Sequence, residues 1–311
     1  MPVILTVTLN PSLDKSVRVA RFCPGETNRV TYVRRDIGGK GINVAVVLRE
    51  LGEETTAFYL APVGSEGEIG PFLLSHGIEG VCRPVPGALR ENLKIYDGYT
   101  GEMTEVNEPG PEVTKEALES LRHLAAAALS PGDILVLSGS VPPGTPDDEY
   151  ARWILMAKEK GARAVLDASG VQLANGLCAG PALVKPNRAE LAALCGRTLD
   201  TRDAVRREAE ALLNAGAGAV CVSLGEEGAM YVTQQGAWYS SGSEVRRLGL
   251  QGAGDSMVAG LCAALRRGLS PREALLNGVA AAQGSLCREG TLLCTRELFL
   301  KMRSAITAEK L

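Results

Sequence analysis

The chain has 311 residues, is 45% apolar and 22% charged, carries a net charge of −3 from 33 basic and 36 acidic residues, and holds only four Phe and two Trp. This composition supplies ample material for a buried core and excludes a general nucleic-acid surface, while no apolar run approaches the length of a membrane span. Any anionic ligand must therefore meet a local cluster of cations rather than a globally basic protein.

The first segment, "MPVILTVTLNPSLDKS", is apolar but lacks a basic leader, breaks at Pro11 and soon carries Asp14 and Lys15, so it reads as a first strand rather than a signal peptide. Next, "SVRVARFCPGETNRVTYVRRD" alternates apolar and polar residues about a Pro-Gly turn, and "RENLKIYDGYTGEMTEVNEPGP" does so again further on. Alternation implies one wet and one buried face, so these segments are expected as antiparallel strands outside the main sheet, forming a small β-lid over about residues 12–37 and 89–107.

Between them lies "DIGGKGINVAVVLRELG", in which Gly38, Gly39, Lys40 and Gly41 lead directly into a helix with Asn43 in its first turn. Exposed N–H groups and a lysine at a helix start suit an anion or a polyhydroxylated ligand. It is not a Walker A loop, since Gly41 stands where that motif needs Ser or Thr. The chain's two histidines, His76 and His123, sit in patterns that look structural, which leaves Ser-His-Asp chemistry and His-rich metal sites with little support.

From about residue 130 onward, short apolar runs alternate with helical patterns: "DILVLSGS", "DDEYARWILMAKEKG", "ARAVLDASG", "PALVKPN", "TRDAVRREAEALLNAG", "AGAVCVSLG". That rhythm predicts βαβ units and a mostly parallel sheet with helices on both faces. "SGSVPPG" follows a buried strand, so Ser138 and Gly139 are expected at the ligand crevice. In "LVKPNRAEL", Lys185, Asn187 and Glu190 mark a strand-to-helix junction; Asn187 and Glu190 suit the water shell of a hard cation, or simply a capping box. "VSLGEEGAMYVT" reads as a hairpin. After Gly252 the chain is nearly all helical, beginning with "QGAGDSMVAG": glycines and one acid at a helix start suit phosphoryl transfer, with N–H groups meeting developing charge and Asp255 taking a proton. Eight scattered cysteines without a C-x-x-C pair fit a reducing cytoplasm, and no linker or repeat divides the chain, so one domain spanning 1–311 is expected.

With these residues in hand, the whole chain resembles the ribokinase-like sugar kinases of the PfkB family, whose two signatures correspond to "GGKGINVA" and "GAGDSMVAG". Within the family it is most similar to the 1-phosphofructokinase branch, on the ordered set "TVTLNPSLD", "RENLKI", "EVNEPGP", "SGSVPPG", "LDASG", "KPNRAEL" and "VSLGEEGA". The resemblance implies a three-layer α/β fold with a β-lid, often used for homodimerisation, and ATP- and Mg²⁺-dependent phosphorylation of fructose 1-phosphate at its C6 hydroxyl. A tagatose-6-phosphate kinase or 6-phosphofructokinase of the same family, or a sugar-phosphate sensor without turnover, are the alternatives.

Carried over by position, the resemblance makes Asp255 the base and Gly252, Ala253 and Gly254 the anion hole. Asp14, Gly38, Gly39, Lys40, Asn43 and Asn92 would hold the sugar; Arg29, Lys40 and Arg90 its phosphate; Ser138 and Gly139 the crevice floor. Lys185, Asn187, Ser223, Gly225, Gly228 and Gln283 would lie along ATP, with Glu190 and Asn187 toward magnesium. Two departures stand out: Leu250 and Gln251 replace the usual Thr-Val or Ser-Val before the anion hole, and Gln283 stands where small residues usually adjoin adenine.

Overall fold

The computed structural model describes residues 2–245, 248–249 and 251–311. Strand β1 (Ile4–Thr8) opens the main sheet, and β2 (Ser12–Val19) and β3 (Val30–Gly38) leave it as a hairpin. Helix α1 (Lys40–Glu50), β4 (Thr55–Pro62), α2 (Glu66–Ser75) and β5 (Glu79–Val85) return to it, and β6 (Arg90–Asp97) and β7 (Met103–Asn107) form the second excursion. The alternating region follows as α3 (Lys115–Ala128), β8 (Ile134–Ser138), α4 (Glu149–Glu159), β9 (Arg163–Asp167), α5 (Gly170–Cys178), β10 (Leu183–Val184), α6 (Arg188–Cys195), α7 (Arg202–Asn214) and β11 (Val220–Ser223). A short 3₁₀ turn at Gly225–Glu227 leads to β12 (Ala229–Thr233) and β13 (Gly236–Ser240), then α8 (Ala253–Arg266), α9 (Pro271–Leu286), α10 (Arg296–Ala305) and β14 (Glu309–Lys310).

The ten-stranded main sheet runs β5-β4-β1-β8-β9-β10-β11-β12-β13-β14. It is parallel from β5 to β11, and the β11–β12–β13–β14 edge is antiparallel. Continuous apolar strands such as "ILTVT" and "ILVLS" are buried along their whole length, because helices cover both faces. The period-2 alternation sorts their side chains: Leu5, Val7, Leu135 and Leu137 pack with Leu121, Trp153 and Val205 from α3, α4 and α7. Ile4, Ile134 and Val136 point the other way, against Val47, Met257 and Leu261 from α1 and α8. The result is the three-layer α/β architecture expected from the alternating pattern.

The two excursions join into a second, four-stranded sheet ordered β3-β2-β6-β7. Each hairpin is antiparallel as expected, but β2 and β6 pair in parallel, with Ser12 opposite Arg90 and Asp14 opposite Asn92. The purely antiparallel expectation is thereby corrected: the outgoing strands of the two hairpins are neighbours, and both leave the core in the same direction. No helix among the described residues is long and apolar enough to cross a membrane.

Candidate active site

Strand carboxyl ends are where an open α/β sheet presents its ligands, because the following loops diverge there. Thr8, Ser138, Lys185 and Ser223, at or just beyond the ends of β1, β8, β10 and β11, line one cavity of about 540 Å³. The lid closes its other side with Ser12 and Asp14 of β2, Arg90, Asn92 and Lys94 of β6, and Glu105 and Asn107 of β7. Spacing by two along each strand puts these side chains on one face of the lid.

Asp255 sits in the first turn of α8 and is 7% exposed. Its Oδ2 accepts a hydrogen bond of 2.8 Å from Nδ2 of Asn43, which projects from the first turn of α1. Burial raises the Asp255 pKa above the ordinary aspartate value; Lys40 opposes the rise and Asp167 reinforces it. Gly252 caps the helix in the left-handed region at φ 71°, where a side chain would also strike Leu293. A Cβ on Gly254 would find only Lys185 Nζ, 3.8 Å away, so the helix start opens onto the cavity here and is bordered by an ammonium. Ala253 turns its methyl into the helical core beside α8.

Asp167, at the end of β9, is 1% exposed and was given no role by the sequence reading. Lys185 Nζ lies 3.1 Å from its Oδ1 and Lys40 Nζ 3.4 Å from its Oδ2, while Ser138 Oγ donates to Oδ2 at 2.9 Å. Burial alone would push this carboxyl up, but the two lysines together outweigh it and hold the pKa at about 2. Asp167 in turn raises the pKa of Lys40 against its burial, so both partners stay charged. The strand-end position in "LDASG" was the available signal for this residue.

On the lid, Asp14 is the hub: its Oδ1 accepts from Ser12 Oγ at 2.8 Å and Asn92 Nδ2 at 2.9 Å, and its Oδ2 accepts from Lys94 Nζ. Gly38 does not line the cavity but makes room for this hub, since a Cβ there would lie 2.8 Å from both Asp14 and Ser12. Gly39, at φ 126°, caps α1 where a Cβ would lie 2.8 Å from Thr8 Cγ2; Gly41 lies against the Val7 carbonyl. The glycine run is thus required as much by the packing of α1 on β1 as by a ligand. Gly139, at φ 109°, lies beside Lys40 and lines the cavity floor with Ser138.

Several expected ligand contacts are placed differently. Arg29 is exposed in the loop before β3, at the end of the β2–β3 hairpin remote from Ser12 and Gly38, and does not line the cavity of its own chain. Arg90 does line it, yet its guanidinium already donates to Asn10 O at 2.9 Å, to Pro11 O at 3.3 Å and to Asn92 Oδ1 at 3.1 Å, and burial lowers its pKa. It fastens the lid to the turn after β1 as well as lending the cavity positive charge. Asn187 and Glu190 line the cavity and also form a reciprocal capping box on α6, with both N–H···O bonds at 2.8 Å.

Gly225 opens the 3₁₀ turn and Gly228 follows it, both outside the cavity lining, and Gly228 is demanded by the Ser240 carbonyl pressed against it. Gln283 does not line the cavity either. Its amide is spent on Ser243, accepting from the backbone N–H at 3.1 Å and donating to the carbonyl at 2.8 Å, which pins the 242–243 segment onto α9. Leu250 lies outside the described residues, and Gln251 lines the cavity. Lys94 is the cation that the sequence reading overlooked, although Arg90, Asn92 and Lys94 follow the same alternation.

The pfkB family carbohydrate kinase profile matches residues 7–298. The chain is 38% identical to a 1-phosphofructokinase of Xanthomonas campestris pv. campestris over 84% of this chain and 83% of the relative. It is 35% identical to a 1-phosphofructokinase of Rhodobacter capsulatus over 99% and 98% of the two chains. Among solved structures, phosphofructokinase-2 from Escherichia coli in complex with potassium superposes with a TM-score of 0.92 at 32% identity, covering 98% of this chain and 99% of that one.

Proposed function

The chain belongs to the pfkB family of carbohydrate kinases, and from that premise we propose that it transfers the γ-phosphoryl group of ATP to the C6 hydroxyl of fructose 1-phosphate. The observation that carries the reading is the union, in one cavity, of a buried carboxylate at a glycine-capped helix start with a lid face bearing Asp14, Arg90, Asn92 and Lys94. A sugar phosphate bridges the two sides: the lid supplies hydroxyl acceptors and positive charge, and the core supplies the base and the N–H groups.

In this reading Asp255 takes the C6 hydroxyl proton as O6 attacks the γ-phosphorus and the bond from that phosphorus to the β–γ bridging oxygen breaks, releasing ADP. The N–H groups at the start of α8, with Lys185 beside Gly254, meet the charge that develops on the transferred group. Asn43 orients the base through its 2.8 Å bond. Glu190 and Asn187 line the cavity and would face a magnesium ion held mainly by phosphate and water, since no group of three His, Cys, Asp or Glu among the described residues forms a protein cage. When bound, that ion neutralises charge on the triphosphate.

The competing substrates are tagatose 6-phosphate and fructose 6-phosphate. Initial rates with ATP on all three should give the highest kcat/KM for fructose 1-phosphate, and a preference for either rival overturns this assignment.

A homodimer through the lid completes the proposal. Val30, Tyr32 and Val33 on β3 and Val106 on β7 are all exposed, an unusual concentration of apolar side chains on one small sheet. Sedimentation velocity at micromolar concentration should show a dimer that Val33→Asp dissociates; a monomeric wild type would contradict it. The buried thiols Cys221, Cys262 and Cys294 fit a reducing, cytoplasmic setting.

A further inference from the structure

Gln251 immediately precedes the glycine that caps α8, and its side chain reaches out of the core onto the lid. Its Oε1 accepts from Lys94 Nζ on β6, and its Nε2 donates to the Glu105 carboxylate on β7 and lies 4.0 Å from Met103 Sδ on the same strand. Lys94 is 3% exposed and also donates to Asp14 on β2. One neutral amide thereby accepts from an ammonium and donates to a carboxylate at once, which neither a valine nor a carboxylate at this position can do. A buried ammonium that lost one of its acceptors would be left under-solvated, so the contact has a physical reason to persist.

We infer that Gln251 is a positioning residue that ties the lid to the anion hole, so that the sugar-binding face around Asp14 and the N–H groups ahead of Asp255 are held in register. The catalytic consequence rests on the kinase reading above, but the tie itself exists without substrate. Gln251→Ala should therefore speed hydrogen exchange of amides in β6 and β7 of the unliganded protein by about 10-fold, the scale of one lost charged hydrogen bond. In turnover it should lower kcat/KM for the sugar phosphate by about 10- to 100-fold and raise ATP hydrolysis relative to phosphoryl transfer, because a loosened lid admits water.

Rescue separates this role from general damage. Gln251→Glu sets two carboxylates against each other and should lose activity, while adding Glu105→Gln restores donor and acceptor and should recover it to within about threefold. Unchanged lid exchange in Gln251→Ala, or no recovery in the Gln251→Glu/Glu105→Gln pair, overturns the inference. If fructose 1-phosphate is not turned over and lid exchange responds as expected, the substrate assignment falls and the tie stands.

Discussion

Asp255→Asn is expected to lower kcat by about 10²–10⁴, the range for loss of a general base, with little change in substrate affinity. The substitution keeps the shape of the side chain and an acceptor for Asn43 Nδ2, so the cavity survives while the proton acceptor is lost. Stability should move in the opposite direction. The folded pKa of Asp255 is raised by burial, so its contribution to stability is full below the unfolded pKa and is lost as pH rises through the folded one. At neutral pH the buried charge is a cost, and the asparagine variant should melt at the same temperature as wild type or higher, as measured by thermal denaturation. For the same reason the acid limb of the wild-type kcat/KM profile should lie above the ordinary aspartate range, since activity requires the deprotonated form. A variant with full kcat would remove Asp255 from the mechanism.

Asp167→Ala is expected to cost stability heavily, about 3–5 kcal/mol, because it leaves Lys185 buried without its counter-ion and Lys40 without its anchor. The rate should fall as well, by 10-fold or more, since Lys185 borders the open space before Gly254 and would no longer be fixed there. The sign of the pH dependence is opposite to that of Asp255. Two lysines, acting against burial, hold the Asp167 pKa at about 2, so its stabilisation is present above the ordinary aspartate value of 3.8 and fades as pH falls toward about 2. The gap in denaturation midpoint between wild type and variant should therefore narrow over that interval. A gap that stays constant would assign the loss to packing rather than to the ion pairs.

What the sequence made legible depended on how local each signal was. Strand-end segments such as "LVKPN" and "SGS", and the glycine-capped starts of α1 and α8, carry their geometry in adjacent residues, so Asn43, Lys185 and Asp255 could be picked out before any fold was known. Asp167 was harder: its partner Lys40 is 127 positions away, and nothing beside it in "LDASG" signals two lysines. Arg29 lies at the far end of the β2–β3 hairpin from its own chain's cavity, because charge and proximity to a hairpin do not tell which end of that hairpin covers the site. Gln283 lies on α9, which is buried nearly all round, so no amphipathic stripe marks the side facing the cavity. The glycines of "GGKG" were visible as exceptional, but the reason for them was shared between ligand and packing. The clashes that a Cβ would make at Gly38, Gly39 and Gly41, the last with the Val7 carbonyl, reveal the packing share.

The most direct measurement is a phosphorus NMR time course of wild-type enzyme and Asp255→Asn side by side, each with ATP, Mg²⁺ and fructose 1-phosphate. A new ester resonance at C6 should grow with ADP in the wild type and at about one hundredth of that rate or less in the variant. No new ester in the wild type, or equal rates in the two proteins, would contradict the account.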